Sequence, residues 1–150
     1  MDLPRNTFKH ALAGDPALIG LWTSLAQAYA AEVVAGAGFD WLLIDAEHSP
    51  NDLGSILAQL QAVAAYPSHA VVRVPSNDVV TIKRVLDVGA QTLLVPQIEN
   101  AEQARAAVSF MRYPPEGLRG VGGTTRATRF GRVAHYARRA QEELCLLVQV

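Results

Sequence analysis

Residues 41–52 read WLLIDAEHSPND. An unbroken apolar run stops at Asp45, Glu47 and His48, and Pro50 then closes the stretch. A strand that only needs to turn passes into Gly, Asn or Ser; this one ends in two carboxylates and an imidazole. Apolar residues without alternation indicate a strand buried on both faces, as in a parallel sheet covered by helices. Charge at its carboxyl end falls where such sheets and barrels gather their active-site groups.

The same pattern recurs on either side. IGLWTS (19–24), HAVVRVP (69–75), TLLVPQI (92–98) and LCLLVQV (144–150) are further strand candidates. Between them, 25–38, 52–64, 78–88, 101–112 and 133–143 carry helical patterning, with Asn51 or Asp52 placed to cap the second of these. Strands alternating with amphipathic helices predict an α/β fold with a parallel sheet. Two architectures compete, a doubly wound sheet and a TIM barrel. WTSLAQ after strand one is no phosphate-binding turn, and GVGG (120–123) follows a turn rather than a strand, which weakens the dinucleotide-binding version. Polar residues at successive strand ends (Asp45, Glu47 and His48, then Arg73, Gln97 and Gln149) favour the barrel, whose catalytic groups share one rim. A full barrel takes eight strands and about 250 residues. The five strands in these 150 residues therefore read as the N-terminal portion of a TIM (β/α)8 barrel, in one partial domain spanning 1–150. Two open sheet edges would favour association with another chain.

Composition narrows the function. Half the residues are hydrophobic, and 13 Lys and Arg nearly balance 14 Asp and Glu, so neither nucleic acid nor an anionic membrane is an expected partner. Cys145, the single cysteine, sits in an apolar run and reads as a small core residue. The N-terminal stretch MDLPRNTFKHALAG lacks the apolar core of a signal peptide, so the expected location is cytoplasmic.

Asp45 and Glu47 share strand parity and can face one side, with His48 beside them; a carboxylate near an imidazole suits a general acid/base. Arg73 is a cation inside an aliphatic strand and needs an anion or a polar cavity, either as a salt bridge to Asp45 or Glu47 or as a hold on a substrate oxygen. Asp87, just before a helix-ending glycine, reads as a solvated or capping residue. The loop 113–132 is long for a compact domain and rich in arginine, which hints at an acidic substrate, with Arg126 the chosen contact, or at subunit contacts. His10, His69 and His135 have no metal-ligand spacing and read as structural or solvated.

GLW (20–22), AGAGFDWLLIDAEHSPND (35–52), VVRVPSND (71–78), LDVGAQTLLVPQIENAEQA (86–104), RYPPEGLRGVGG (112–123), RATRFGR (126–132) and LLVQV (146–150) resemble, in order and spacing, the HpcH/HpaI class II aldolase family. The resemblance implies a TIM barrel, a homo-oligomer (commonly a hexamer), and reversible aldol cleavage of a 4-hydroxy-2-oxo acid to pyruvate and an aldehyde. A divalent cation (Mg²⁺, Mn²⁺ or Co²⁺) would bind the small 2-oxo acid substrate as a Lewis acid. The family's acid/base histidine falls on His48, its partner aspartate on Asp45, the arginine holding the pyruvyl oxygen on Arg73, and the glutamine near the keto acid on Gln149. A second aspartate, often supplied by a neighbouring subunit, falls on Asp87, and Glu47 takes a supporting part. The family's first metal-ligating glutamate would come next after Val150, so the metal ligands are expected beyond this chain, which alone would be inactive. An inactive half-barrel acting through association, or a citrate-lyase-type lyase on the same fold, are the alternatives.

Overall fold

The computed structural model describes residues 1–14 and 17–150. In chain order the elements are α1 (Thr7–Ala11), β1 (Gly20–Thr23), α2 (Ala28–Ala35), β2 (Trp41–Asp45), α3 (Leu53–Val63), β3 (His69–Arg73), α4 (Val79–Asp87), β4 (Thr92–Val95), α5 (Ala101–Met111), α6 (Tyr136–Arg139) and β5 (Cys145–Val148). All strand pairs are parallel and the order is β1-β2-β3-β4-β5. A doubly wound sheet reverses direction at a switch point; this sheet never does, and each strand lies beside its predecessor as in a barrel wall.

Local chemistry sets the boundaries. Asp52 caps α3, accepting from the Ser55 N–H at 2.7 Å while the Ser55 hydroxyl accepts from the Asp52 N–H at 2.9 Å. Asp78 and Asn100 cap α4 and α5 without the reciprocal bond, their side chains accepting from the Thr81 and Gln103 N–H groups. The helix expected over 25–38 is shorter, because Ala26 at φ +54° cannot start it and Gly38 at φ +94° lies past its end. His135 at φ +56° likewise delays the expected 133–143 helix to Tyr136, and a 3-10 turn over Ala140–Glu142 replaces its second half. Strand β4 stops at Val95, before Pro96, which has no N–H, and Gln97 in left-handed backbone. No periodicity announces α1, a single short helix capped by Asn6.

Strand alternation sorts the core. Leu42, Ile44, Val72, Val74, Leu93 and Val95 face the covering helices, packing with Ile56, Ile82, Leu86 and Ala107 or with Ala31 and Ala35. Leu43 and Val71 face the opposite side with Phe8, beside Leu94, Cys145 and Leu147. Gly20 keeps room here, since a Cβ would stand 2.1 Å from the Trp41 ring. Phe8 also stacks on His69 at 5.8 Å, while Asn6, fully buried, donates to Thr92 Oγ1 at 2.9 Å and to the Glu143 carbonyl at 3.0 Å. The N-terminal segment thereby closes the sheet's lower end on the helix-free face. No helix among the described residues is long and apolar enough to cross a membrane.

Burial pulls the His69 imidazole, 3.0 Å from Thr92 Oγ1, down to a pKa of about 4 from an ordinary 6.5. The unfolded chain therefore takes up this proton first as pH falls, so the contribution is complete above 6.5 and is lost on descending to 4. Denaturant unfolding should lose about 3 kcal/mol across that window, and His69→Asn should flatten that part of the profile.

Candidate functional site

Strand parity carries the Leu43 and Val71 face upward to Asp45 and Arg73, which are direct partners in the β2–β3 register. Both are buried, at 3 % and 6 % exposed. The pairing is bidentate: Arg73 Nε donates to Asp45 Oδ1 at 2.9 Å and Nη2 to Oδ2 at 2.7 Å. Burial by itself would raise the Asp45 pKa, but the hydrogen bonds from Arg73 and from the Glu47 and His48 amides outweigh it and hold the carboxyl below its usual value. The Asp45 hydrogen bond lifts the Arg73 pKa further above its already high value, so the guanidinium stays charged.

The segment after β2 wraps around Asp45. Its Oδ1 accepts from the Glu47 amide at 3.0 Å and the His48 amide at 3.3 Å. Its carbonyl accepts from the Ser49 hydroxyl and from Asn51 Nδ2, the latter at 2.7 Å. The polar stretch DAEHSPN is thus a turn built on one aspartate. It sends the Glu47 carboxylate back to Arg73, with Oε2 2.9 Å from Nη1, and turns the His48 ring outward, its side chain 74 % exposed. Gln149, beyond β5, accepts from Arg73 Nη1 at 3.4 Å. Trp22 lies over the guanidinium, its ring centroid 4.6 Å from Cζ.

Asp45, Glu47, His48, Arg73 and Gln149 therefore meet at the carboxyl ends of the strands. Trp22 joins them although sequence reasoning did not single it out as a site residue; its signal was an aromatic at the corresponding end of β1. One expected contact takes a different form: Asp45 holds His48 by its backbone amide, and the carboxylate facing the imidazole is Glu47, at 3.7 Å from Nε2.

Asp87 and Arg126 are not brought here. Asp87 ends α4, so it lies at the amino ends of the strands, where Oδ1 accepts from the fully buried Arg119 at 2.7 Å. Arg126, expected as a substrate contact, likewise stands outside this cluster of its own chain: its Nη1 donates to the Val88 carbonyl at 2.9 Å, at the end of α4. Gly89, at φ +102°, leaves the space, since a Cβ there would stand 2.4 Å from that nitrogen. A cation bonding the last carbonyls of a helix is favoured by the helix dipole.

The sequence profile described as HpcH/HpaI aldolase/citrate lyase matches residues 18–150. The chain belongs to this family. It is similar to a pyruvate aldolase of Rhizobium etli, 59% identical over 150 residues, covering 100% of this chain and 59% of that protein. A 4-hydroxy-2-oxo-heptane-1,7-dioate aldolase of Salmonella arizonae is 56% identical over 147 residues, covering 97% of this chain and 56% of that protein. The crystal structure of an HpcH/HpaI aldolase/citrate lyase family protein from Burkholderia cenocepacia superposes with a TM-score of 0.94 at 47% identity, covering 97% of this chain and 59% of that one. The chain thus spans a little over half the length of the relatives it matches, and its five-stranded sheet is an arc of the family's TIM barrel.

The residues present do not form a divalent-metal site. Among the described residues no three His, Cys, Asp or Glu side chains converge, and the carboxylates of Asp45 and Glu47 both lie against Arg73. Residues 1–150 titrated with Mn²⁺ should show no stoichiometric tight binding; a saturable micromolar site would overturn this. Asp45→Ala removes the bidentate grip on a buried guanidinium, leaving it Glu47 alone, and should cost about 3 kcal/mol in denaturant unfolding.

Proposed function

We propose that the complete protein is an aldolase that reversibly cleaves a 4-hydroxy-2-oxo acid into pyruvate and an aldehyde. The observation that carries this reading is the strand-end cluster: a buried guanidinium gripped by Asp45, roofed by Trp22 and set beside an outward-facing imidazole. In the cleavage direction His48 removes the C4 hydroxyl proton, the C3–C4 bond breaks, and the aldehyde leaves. The bonding electrons pass into the enolate of pyruvate, whose C2 oxygen gains the negative charge. Arg73 is the proposed partner of that oxygen, its orientation fixed by Asp45 before substrate arrives. Gln149, just past β5, accepts from the same guanidinium. Protonation at C3 then gives pyruvate.

Three further parts of the reading concern the protein beyond this cluster. A divalent cation (Mg²⁺, Mn²⁺ or Co²⁺) is proposed with its donors outside residues 1–150, since those present do not supply a site. A homo-oligomer is proposed because Asp87, at the opposite end of the sheet, can contribute to catalysis only at the site of another copy. The barrel would be closed by strands flanking the open edges β1 and β5, and the location would be cytoplasmic. The names of the curated relatives favour an aldolase over a citrate-lyase-type reaction, although the family description embraces both.

Pyruvate release from a 4-hydroxy-2-oxo acid, coupled to lactate dehydrogenase, tests the reaction with the complete gene product. His48→Ala should lower kcat by about 10²- to 10⁴-fold, the range for a positioned acid/base. Arg73→Lys should cut kcat/KM, because one ammonium cannot reproduce both the grip on Asp45 and the contact to substrate. An unchanged rate in His48→Ala would remove the histidine from this role.

A further inference from the structure

We propose that Glu47 is a positioning residue that couples the guanidinium of Arg73 to the imidazole of His48. This rests on the aldolase reading above and adds to it a carboxylate that is held against Arg73 and acts through His48. One oxygen of Glu47, Oε2, lies 2.9 Å from Arg73 Nη1, and the other, Oε1, lies 3.7 Å from His48 Nε2. Asp45 meets His48 at its backbone amide and not at the ring. Its Oδ1 is taken by Arg73 Nε and two backbone amides, and its Oδ2 by Arg73 Nη2.

The chemistry of Glu47 is unlike that of a merely structural side chain. Its side chain is only 10 % exposed, and among the described residues Oε2 receives no directed hydrogen bond, because the nearby Nη1 approaches it closely without aiming an N–H along the line. Nη1 instead donates to Gln149 Oε1, so its contact with Glu47 is one of charge. A buried carboxylate with an unfilled oxygen is costly unless its charge is used. Asp45, Glu47 and Arg73 together sum to one surplus negative charge. That surplus is unbalanced while His48 is neutral and is cancelled when His48 carries the proton taken from substrate. Glu47 therefore stabilises the state after proton transfer more than the state before it, and such differential stabilisation is what lowers a barrel-rim barrier. At 3.7 Å the contact is longer than a hydrogen bond, so its strength comes from charge and grows as substrate displaces water from the open rim.

Two measurements on the complete gene product test this. In the pyruvate-release assay Glu47→Gln, which keeps size and removes charge, should lower kcat about tenfold or more, with a smaller change in KM. In a His48→Ala background the same substitution should have little further effect on kcat, because the group it acts through is gone. Costs that multiply in the double variant would overturn the coupling. Independently of turnover, NMR of protein with ¹⁵N-labelled histidine reads the rings of His10, His48, His69 and His135 separately. Glu47→Gln should displace the His48 resonances and leave the other three in place; unmoved His48 resonances would also overturn it. If Glu47→Gln fails to fold, Glu47→Asp, which keeps the charge but shortens its reach, should displace the same resonances and no displacement would count equally against the proposal. Absence of pyruvate release by the unsubstituted protein would sink the aldolase reading, while the ring resonances would still decide whether Glu47 acts on His48.

Discussion

The bidentate pair between Asp45 and Arg73 is the interaction on which the rest of the rim depends. Their Cα atoms are register partners on β2 and β3, so the pair needs no loop to bring it together. Parallel pairing fixes which residue stands beside which, and alternation then fixes which face both occupy. A slip of one residue in that register would send one of the two charges toward the helices, among Ile44, Val72 and Val74, where nothing polar could receive it. The same pair that holds a guanidinium ready for an oxyanion therefore also helps specify the sheet. Buried ion pairs gain little net stability, so the sense of this one lies in geometry: it aims a charge that the aliphatic strand would otherwise exclude.

Much of this was legible in residues 41–52. An apolar run without alternation specified a strand covered on both faces, and its polar ending specified the functional end. Strand parity alone would set Asp45 and Glu47 on one side of a continuing strand. In the folded chain the strand stops at Asp45, and Glu47 reaches the same guanidinium through a turn that Asp45 itself organises. The right pairing thus came from a different backbone path. Local capping chemistry was also readable, in Asp52 for example, because its partner Ser55 lies three residues away. What was not readable depended on remote partners. Helix α1 is too short to show periodicity and is held by Asn6 against Thr92 and Glu143, far along the chain. Trp22 gained its place only when the sheet order set its ring over Arg73.

Asp87 and Arg126 stand apart from the rim of their own chain for a single physical reason. A charged residue beside a glycine or within an arginine-rich loop looks functional wherever it stands, and composition does not say at which end of a sheet it will be. Chain order does. In a βα repeat of parallel strands, a residue that ends a strand stands at the carboxyl rim, and one that ends a helix has returned to the other end. By that rule Asp45, Arg73 and Gln149 belong together, and Asp87 belongs with the loop that follows α5, where Arg119 meets its carboxylate and Arg126 meets the helix end one residue further on. Two charged clusters of similar composition are therefore separated by the length of the strands. The first has its arginine clasped by two carboxylates and an imidazole open to solvent; the second has a fully buried arginine, with Nε and Nη1 unpartnered, leaning on one aspartate and the face of Tyr113. Only the first combines a fixed cation with an accessible base, and that combination, more than the number of charges, is what makes the upper end of this sheet fit for proton transfer next to a developing oxyanion.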